Sequence, residues 1–190
     1  MKKMIKVLLT SAMIGAVSLT TFFSFANQPV VSAAQGGWSL AGHSWPASTR
    51  TNITYSRDGS ADAVWNNAVN NWNYKTNLIK FTNGGTSGKV SLSTVYNSSI
   101  DSDGRATTYF DASKNAYGGF SWLNTYHTSK YTAAKTESVA THELGHILGL
   151  ADLSSGYASL MNGYTSARYD TFGIYTPQKD DVDGITFIYK

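Results

Sequence analysis

One stretch constrains this chain more than any other: Thr141-His142-Glu143-Leu144-Gly145-His146-Ile147-Leu148-Gly149-Leu150-Ala151-Asp152. On a helix, His142 and His146 stand one turn apart on the same face, about 6 Å along the axis, so both reach a single metal ion. Zinc accepts imidazole nitrogens at roughly 2.0–2.1 Å, and the pair supplies two of its usual four ligands. Glu143 projects from a neighbouring part of the helix and reaches water on that metal, a placement that suits a general base. Gly149 stands where a left-handed residue stops a helix and swings the chain back, which offers Asp152 as third ligand. The rival reading, a helix with two surface histidines and a glycine cap, leaves the spacing of Gly149 and Asp152 unexplained. His43 and His127, the other two histidines, are the substitutes should Asp152 not bind.

Residues 1–33 stand apart. Lys2, Lys3 and Lys6 precede a mainly apolar run from Val7 to Ala26, and Val31-Ser32-Ala33 offers small residues for cleavage, the pattern of a secretory signal peptide. An uncleaved anchor is the alternative, disfavoured by the Ser and Thr content of the run and by that site. Removal leaves a mature domain over residues 34–190, secreted and with no stable membrane association. The three lysines account for the whole basic excess, since the 15 Lys and Arg of the full chain face 12 Asp and Glu. The mature domain is therefore balanced, and nothing favours nucleic acid as a partner. Its length suits one domain, expected as a monomer. With no cysteine, stability rests on packing and bound metal rather than disulfides.

Along the mature chain, residues 35–49 read as irregular and Thr51–Tyr55 as a strand. Val64, Trp65, Ala68, Val69 and Trp72 recur at helical spacing over Ala61–Tyr74, capped by Asp58 or Ser60. Leu78–Phe81, Val90–Tyr96, Arg105–Phe110 and Gly118–Tyr126 read as further strands. Asp101-Ser102-Asp103-Gly104 starts like a calcium loop but lacks later acidic ligands, and a polar turn suits it better. The metal helix begins between Thr132 and Thr136, with Glu137 at its positive end. A polar, tyrosine-rich loop runs to Thr176, where Thr176-Pro177 opens a last helix whose Asp180, Asp181 and Asp183 suit its N-terminus and need bind nothing.

His142-Glu143-x-x-His146-x-x-Gly149-x-x-Asp152 followed by Ser159-Leu160-Met161 resembles the metzincin metalloproteases, and Pro177-Gln178-Lys179-Asp180-Asp181-Val182-Asp183-Gly184-Ile185 resembles the closing helix of matrixins. The resemblance implies an α+β domain: a twisted, mostly parallel five-stranded sheet, three main helices, and a zinc cleft above a turn carrying Met161. It implies a zinc endopeptidase with His142, His146 and Asp152 on one catalytic zinc, Glu143 as general base on water at the metal, and Gly149 and Met161 as structural residues. Matrixins have histidine where this chain has Asp152; the snapalysin-type metzincins are similar to it in having Asp. An anionic ligand leaves the metal a weaker Lewis acid than three imidazoles would.

Calcium, common in matrixins, is admitted only through Asp101 and Asp103. The resemblance further implies that an extended polypeptide substrate pairs with Arg105–Phe110 as an edge strand. Tyr164, Tyr169, Phe172 and Tyr175 are available to wall a pocket for an apolar or aromatic residue just after the cleaved bond; they equally suit the lower core. Two other functions fit a secreted zinc site: an adhesion module without turnover, which has no need of Glu143, and a hydrolase of cell-wall peptide crosslinks.

Overall fold

The computed structural model describes residues 37–190, so the signal-like segment over residues 1–33 lies outside the described residues. In chain order the elements are β1 (Ser39–Leu40), β2 (Ile53–Arg57), α1 (Asp62–Lys75), β3 (Phe81–Asn83), β4 (Val90–Val95), β5 (Gly104–Phe110), β6 (Ala116–Asn124), α2 (Thr125–Thr128), α3 (Ala133–Ile147), β7 (Leu150–Ala151) and α4 (Lys179–Tyr189). A π-helical turn over Ser166–Thr171 interrupts what the sequence suggests is plain loop.

The main sheet has the order β3-β2-β4-β6-β5, parallel except for β5, which runs antiparallel to β6 at the edge. This is the mostly parallel five-stranded α+β arrangement expected of the chain. The core follows from the two periodicities. Ile53 and Tyr55 on β2 and Val90 and Leu92 on β4 alternate inward, and Trp65, Ala68, Val69 and Trp72 form the buried face of α1. The indole N–H groups stay satisfied at depth: Trp72 donates to Thr141 O at 2.8 Å, Trp65 to Ser93 O at 3.2 Å and Trp45 to Ile147 O at 2.8 Å. Two of these bonds end on the α3 segment, so the core holds the metal helix by its backbone. Amides of Asn67 and Asn71 on α1 add a second tie by donating to Glu137 on α3 at 2.9 and 2.8 Å.

Several local expectations are corrected. No side chain caps α1; it starts after Ala61 in a left-handed conformation, φ 53°, and Asp58 is occupied in accepting from Ser60 N at 2.8 Å. Pairing of the third strand begins only at Phe81, where the Asn73 side chain brackets the backbone by accepting from Phe81 N at 2.8 Å and donating to Phe81 O at 2.9 Å. β6 stops at Asn124 because that side chain turns back to accept from Tyr126 N at 3.2 Å and caps α2. The last helix starts at Lys179 rather than at Pro177: Gln178 is its cap, and Asp181 at the third position accepts from Gln178 N at 2.7 Å. Residues 35–49 were expected to be irregular, yet Ser39–Leu40 forms a strand paired with Leu150–Ala151.

Candidate metal centre

α3 begins with Thr132 as cap, its hydroxyl accepting from Lys135 N at 3.2 Å, and ends after Ile147 with Gly149 at φ 100°. A side chain at Gly149 would be excluded twice over, because its Cβ would lie 2.4 Å from His43 O. The reversal sends Leu150 and Ala151 along β1, fastened by Ala41 N donating to Gly149 O at 2.8 Å. Asp152 therefore arrives beside the two histidines on a short, clamped path. Its loop is closed on the other side by Leu153 N donating to Met161 O at 2.7 Å and Gly163 N to Leu153 O at 3.0 Å.

His142 Nε2 and His146 Nε2 face each other at 3.1 Å, and Asp152 Oδ1 lies 3.2 Å from the first and 3.4 Å from the second. Each imidazole has its Nδ1 against a backbone carbonyl, Leu160 O for His142 and Leu150 O for His146, both at 2.9 Å. A carbonyl only accepts, so both protons sit on Nδ1 when the rings are neutral, and both Nε2 atoms present lone pairs. Two imidazole lone pairs and a carboxylate oxygen thus converge on one point, where only a cation relieves their repulsion. The separations also suit a tetrahedral ion: ligands at roughly 2.0–2.1 Å define edges of about 3.3 Å. The donor set fits zinc. Among the described residues this is the one group of three His, Cys, Asp or Glu side chains close enough to share a metal.

Without metal, the cluster must hold a proton. Burial drives His142 down to about 3, whereas for His146 the same burial is outweighed by the Asp152 hydrogen bond and the Glu143 charge, which push it up to about 9. The proton therefore resides on His146, where a metal would replace it. Burial by itself would raise Asp152, but the two histidines beside it, of which His146 carries the proton, hold it far below the usual carboxylate range.

Glu143 is buried, 6% exposed, and burial raises it to about 7. It lines a cavity of about 480 Å³ that also touches His142, His146 and Asp152. Gly104, at the start of the edge strand, passes so close that a Cβ there would meet Glu143 Oε1 at 3.0 Å. Beneath the histidines, Met161 is fully buried against Gly145, and a Cβ on that glycine would lie 2.3 Å from Met161 Sδ. The mid-helix glycine between the two histidines thus has a packing reason invisible in the motif.

His127 and His43 are placed elsewhere. His127 Nε2 bonds Ile100 O at 2.8 Å, and His43 stacks on Phe110 with centroids 5.4 Å apart. The Asp103 carboxylate, one half of the calcium-like pattern, accepts from Tyr131 OH at 2.9 Å.

Three residues that sequence reasoning passed over organise the surroundings. Asp181 is fully buried and accepts from Ser159 Oγ at 2.5 Å, Leu160 N at 2.9 Å and Met161 N at 3.0 Å, besides capping α4. It was expected merely to suit a helix terminus; its offset from Gln178 is the capping-box spacing, a signal that was available. Asn124 donates to the carbonyls of Asn97, Ile100 and Ser102 at 2.9, 3.2 and 3.3 Å and shapes the loop leading to Gly104. Arg168, 1% exposed, joins the cavity wall together with Lys135, Thr165 and Ser166. Of the four aromatics offered for it, Tyr164 is in the wall, while Tyr169, Phe172 and Tyr175 are not part of it, the last two being partly exposed.

A five-stranded sheet with an antiparallel edge strand over a helix of this kind, and a buried methionine turn below it, is the architecture of a metzincin-type metalloprotease domain. The matrixin family profile matches residues 38–190, and the chain belongs to that family, whose members are zinc-dependent endopeptidases acting on polypeptides. No curated protein sequence matches the chain significantly.

Proposed function

We propose that this chain is a secreted zinc endopeptidase in which His142, His146 and Asp152 hold the metal and Glu143 is the general base. The observation that carries the assignment is the convergence of three acceptors at 3.1–3.4 Å with both imidazole tautomers fixed by backbone carbonyls. When bound, zinc would polarise the scissile carbonyl and acidify the attacking water. The chain's own residues do the rest. β5 is an edge strand whose outer side, unpaired among the described residues, can pair with an extended substrate and lay its backbone along the cleft. Glu143, in the wall beside the metal ligands, takes a proton from the attacking water and passes it to the leaving amine. Burial keeps its affinity for a proton near neutrality, and the charge of the metal would lower it enough for the base form to predominate. Secretion rests on the signal-like pattern of residues 1–33.

Glu143→Gln keeps the shape of the side chain and removes its basicity. Zinc content should be unchanged while cleavage of casein or an unfolded protein falls about a thousandfold. Undiminished cleavage in a preparation free of other proteases would refute the mechanism. A zinc-binding adhesion module would show no turnover in the unsubstituted protein, and digestion of purified cell wall beside casein separates a crosslink hydrolase from a general endopeptidase.

A further inference from the structure

The wall of the cavity beside the metal ligands holds a buried cation that no carboxylate ion-pairs among the described residues. Arg168 donates Nε to Ser138 Oγ at 2.9 Å, Nη1 to Asn162 O at 2.5 Å and Nη2 to Thr165 Oγ1 at 3.1 Å, all neutral oxygens. No carboxylate lies within ion-pair distance of it among the described residues; the pairs present are Arg57–Asp62, Lys135–Asp170, Lys179–Asp183 and the two made by Asp152. Burial lowers Arg168 only to about 10, so it remains charged at neutral pH.

The carboxylates whose fields reach it are engaged elsewhere or belong to the metal site. Asp103 accepts from Tyr131, Asp181 is saturated by the methionine turn, Asp152 lies against the histidines, and Glu143 faces the reacting centre. Once a divalent cation is bound, the charges of Asp152 and Glu143 are offset and no longer serve Arg168. A guanidinium has five N–H donors and three have protein acceptors among the described residues, which leaves two unused on a residue that lines the cavity. A buried guanidinium held rigidly by neutral oxygens is the arrangement that selects a carboxylate, because planar, two-pronged pairing is strong and desolvation has already occurred.

We infer that Arg168 makes the pocket beside the metal a subsite for an acidic side chain, so that the residue just after the scissile bond is Asp or Glu rather than apolar or aromatic. The inference rests on the endopeptidase assignment for which bond is cut, but not for what the pocket binds. Lys135, also in the wall, is paired with Asp170 at 2.6 Å and adds positive potential without being a free partner.

The test is binding of fluorescein-labelled, C-terminally amidated hexapeptides, identical except for Glu, Gln or Leu at that position, to the zinc-loaded Glu143→Gln protein, which does not turn them over. The Glu peptide should bind about tenfold tighter than the Gln or Leu peptide. Adding Arg168→Met should abolish that ratio while Leu-peptide binding is retained, and Arg168→Lys should restore part of it. Equal or tighter binding of the Leu peptide with Arg168 intact would overturn the inference, and this comparison needs no variant at Arg168 to fold. Equal weakening of all three peptides by Arg168→Met would overturn it too, by marking Arg168 as a brace between Ser138 and Asn162 and nothing more. If the unsubstituted protein cleaves none of the peptides, the endopeptidase assignment fails, and the binding order still decides the role of Arg168.

Discussion

The sheet with α1 and the chain beyond Leu150 solve the same burial problem differently. In the first, Ile53, Trp65, Trp72, Val90 and Leu92 are removed from water by regular elements held together by helical and sheet backbone bonds. Each such side chain contributes about 1.5–3 kcal/mol of transfer free energy. In the second, regular structure is sparse between β7 and α4, and buried polar side chains stand in for it. Asp181 gathers Ser159, Leu160 and Met161; Asn162 donates to the carbonyls of Ser155 and Tyr157 at 3.0 and 2.9 Å; Arg168 ties Ser138 to Asn162. The first region can lose a methyl group and adjust. In the second, loss of one acceptor strands several donors away from water, and the metal ligands hang from the same bonds: His142 is oriented by Leu160 O, one peptide from the Asp181 contacts.

The largest effect that would expose this difference belongs to Asp152. Asp152→Ala removes one of three converging acceptors, and zinc affinity should fall about a thousandfold, measured by competition with a chromophoric chelator. Unchanged affinity would place the third ligand elsewhere. The same cluster predicts a pH dependence. His146 in the metal-free protein carries a proton up to about pH 9, so zinc uptake at pH 7 should release it. Affinity should then rise about tenfold per pH unit until that value is reached. Calorimetry in buffers of different ionisation enthalpy counts the proton.

Asp181→Asn comes next. The substitution keeps the volume but halves the acceptor capacity and turns an amide NH2 toward N–H donors. A stability loss of about 3 kcal/mol is expected in the metal-free protein. Because Leu160 loses its anchor, zinc affinity should also drop, about tenfold to a hundredfold. A variant that lost stability with full zinc affinity would uncouple the turn from the metal and break the comparison.

The same contrast accounts for what could be read from the chain. The face of α1 was legible because a 3.6-residue apolar period has one structural cause, and the edge position of Arg105–Phe110 followed from the family resemblance. The convergence of His142, His146 and Asp152 is local, spanning eleven residues with one special backbone conformation, so spacing alone brings these side chains together. The methionine-turn contacts of Asp181 and the roles of Asn124 and Arg168 were not legible, since their long-range bonds span 20 to 30 positions through loops whose path no periodicity encodes. A polar residue in a polar loop looks solvated in sequence; only the fold shows that it is buried. The pocket lining failed for the same reason. Phe172 and Tyr175 attract attention as aromatics, yet the π-helical turn carries Arg168 into the wall and leaves those two partly exposed.

The smallest expected effect is the control on which the comparison depends. Ile53 is fully buried on β2, paired with Phe81 on β3, and far in the chain from the metal ligands. Ile53→Val deletes one methyl group and leaves every hydrogen bond in place, which should cost about 1 kcal/mol. For a domain of this size, that lowers the unfolding midpoint by about 2–4 °C. Zinc binds only the folded state, so it raises the midpoint of both proteins, but the difference between them should persist with and without metal. Zinc affinity of the folded variant should match that of the unsubstituted protein within about twofold, since distant, unconnected sites do not couple measurably. If Ile53→Val instead weakened zinc binding as Asp181→Asn is expected to, the sheet would be transmitting strain through α1 and the Trp72–Thr141 bond into α3. The two regions would then be one mechanical unit, and the polar turn would have no special claim on the metal.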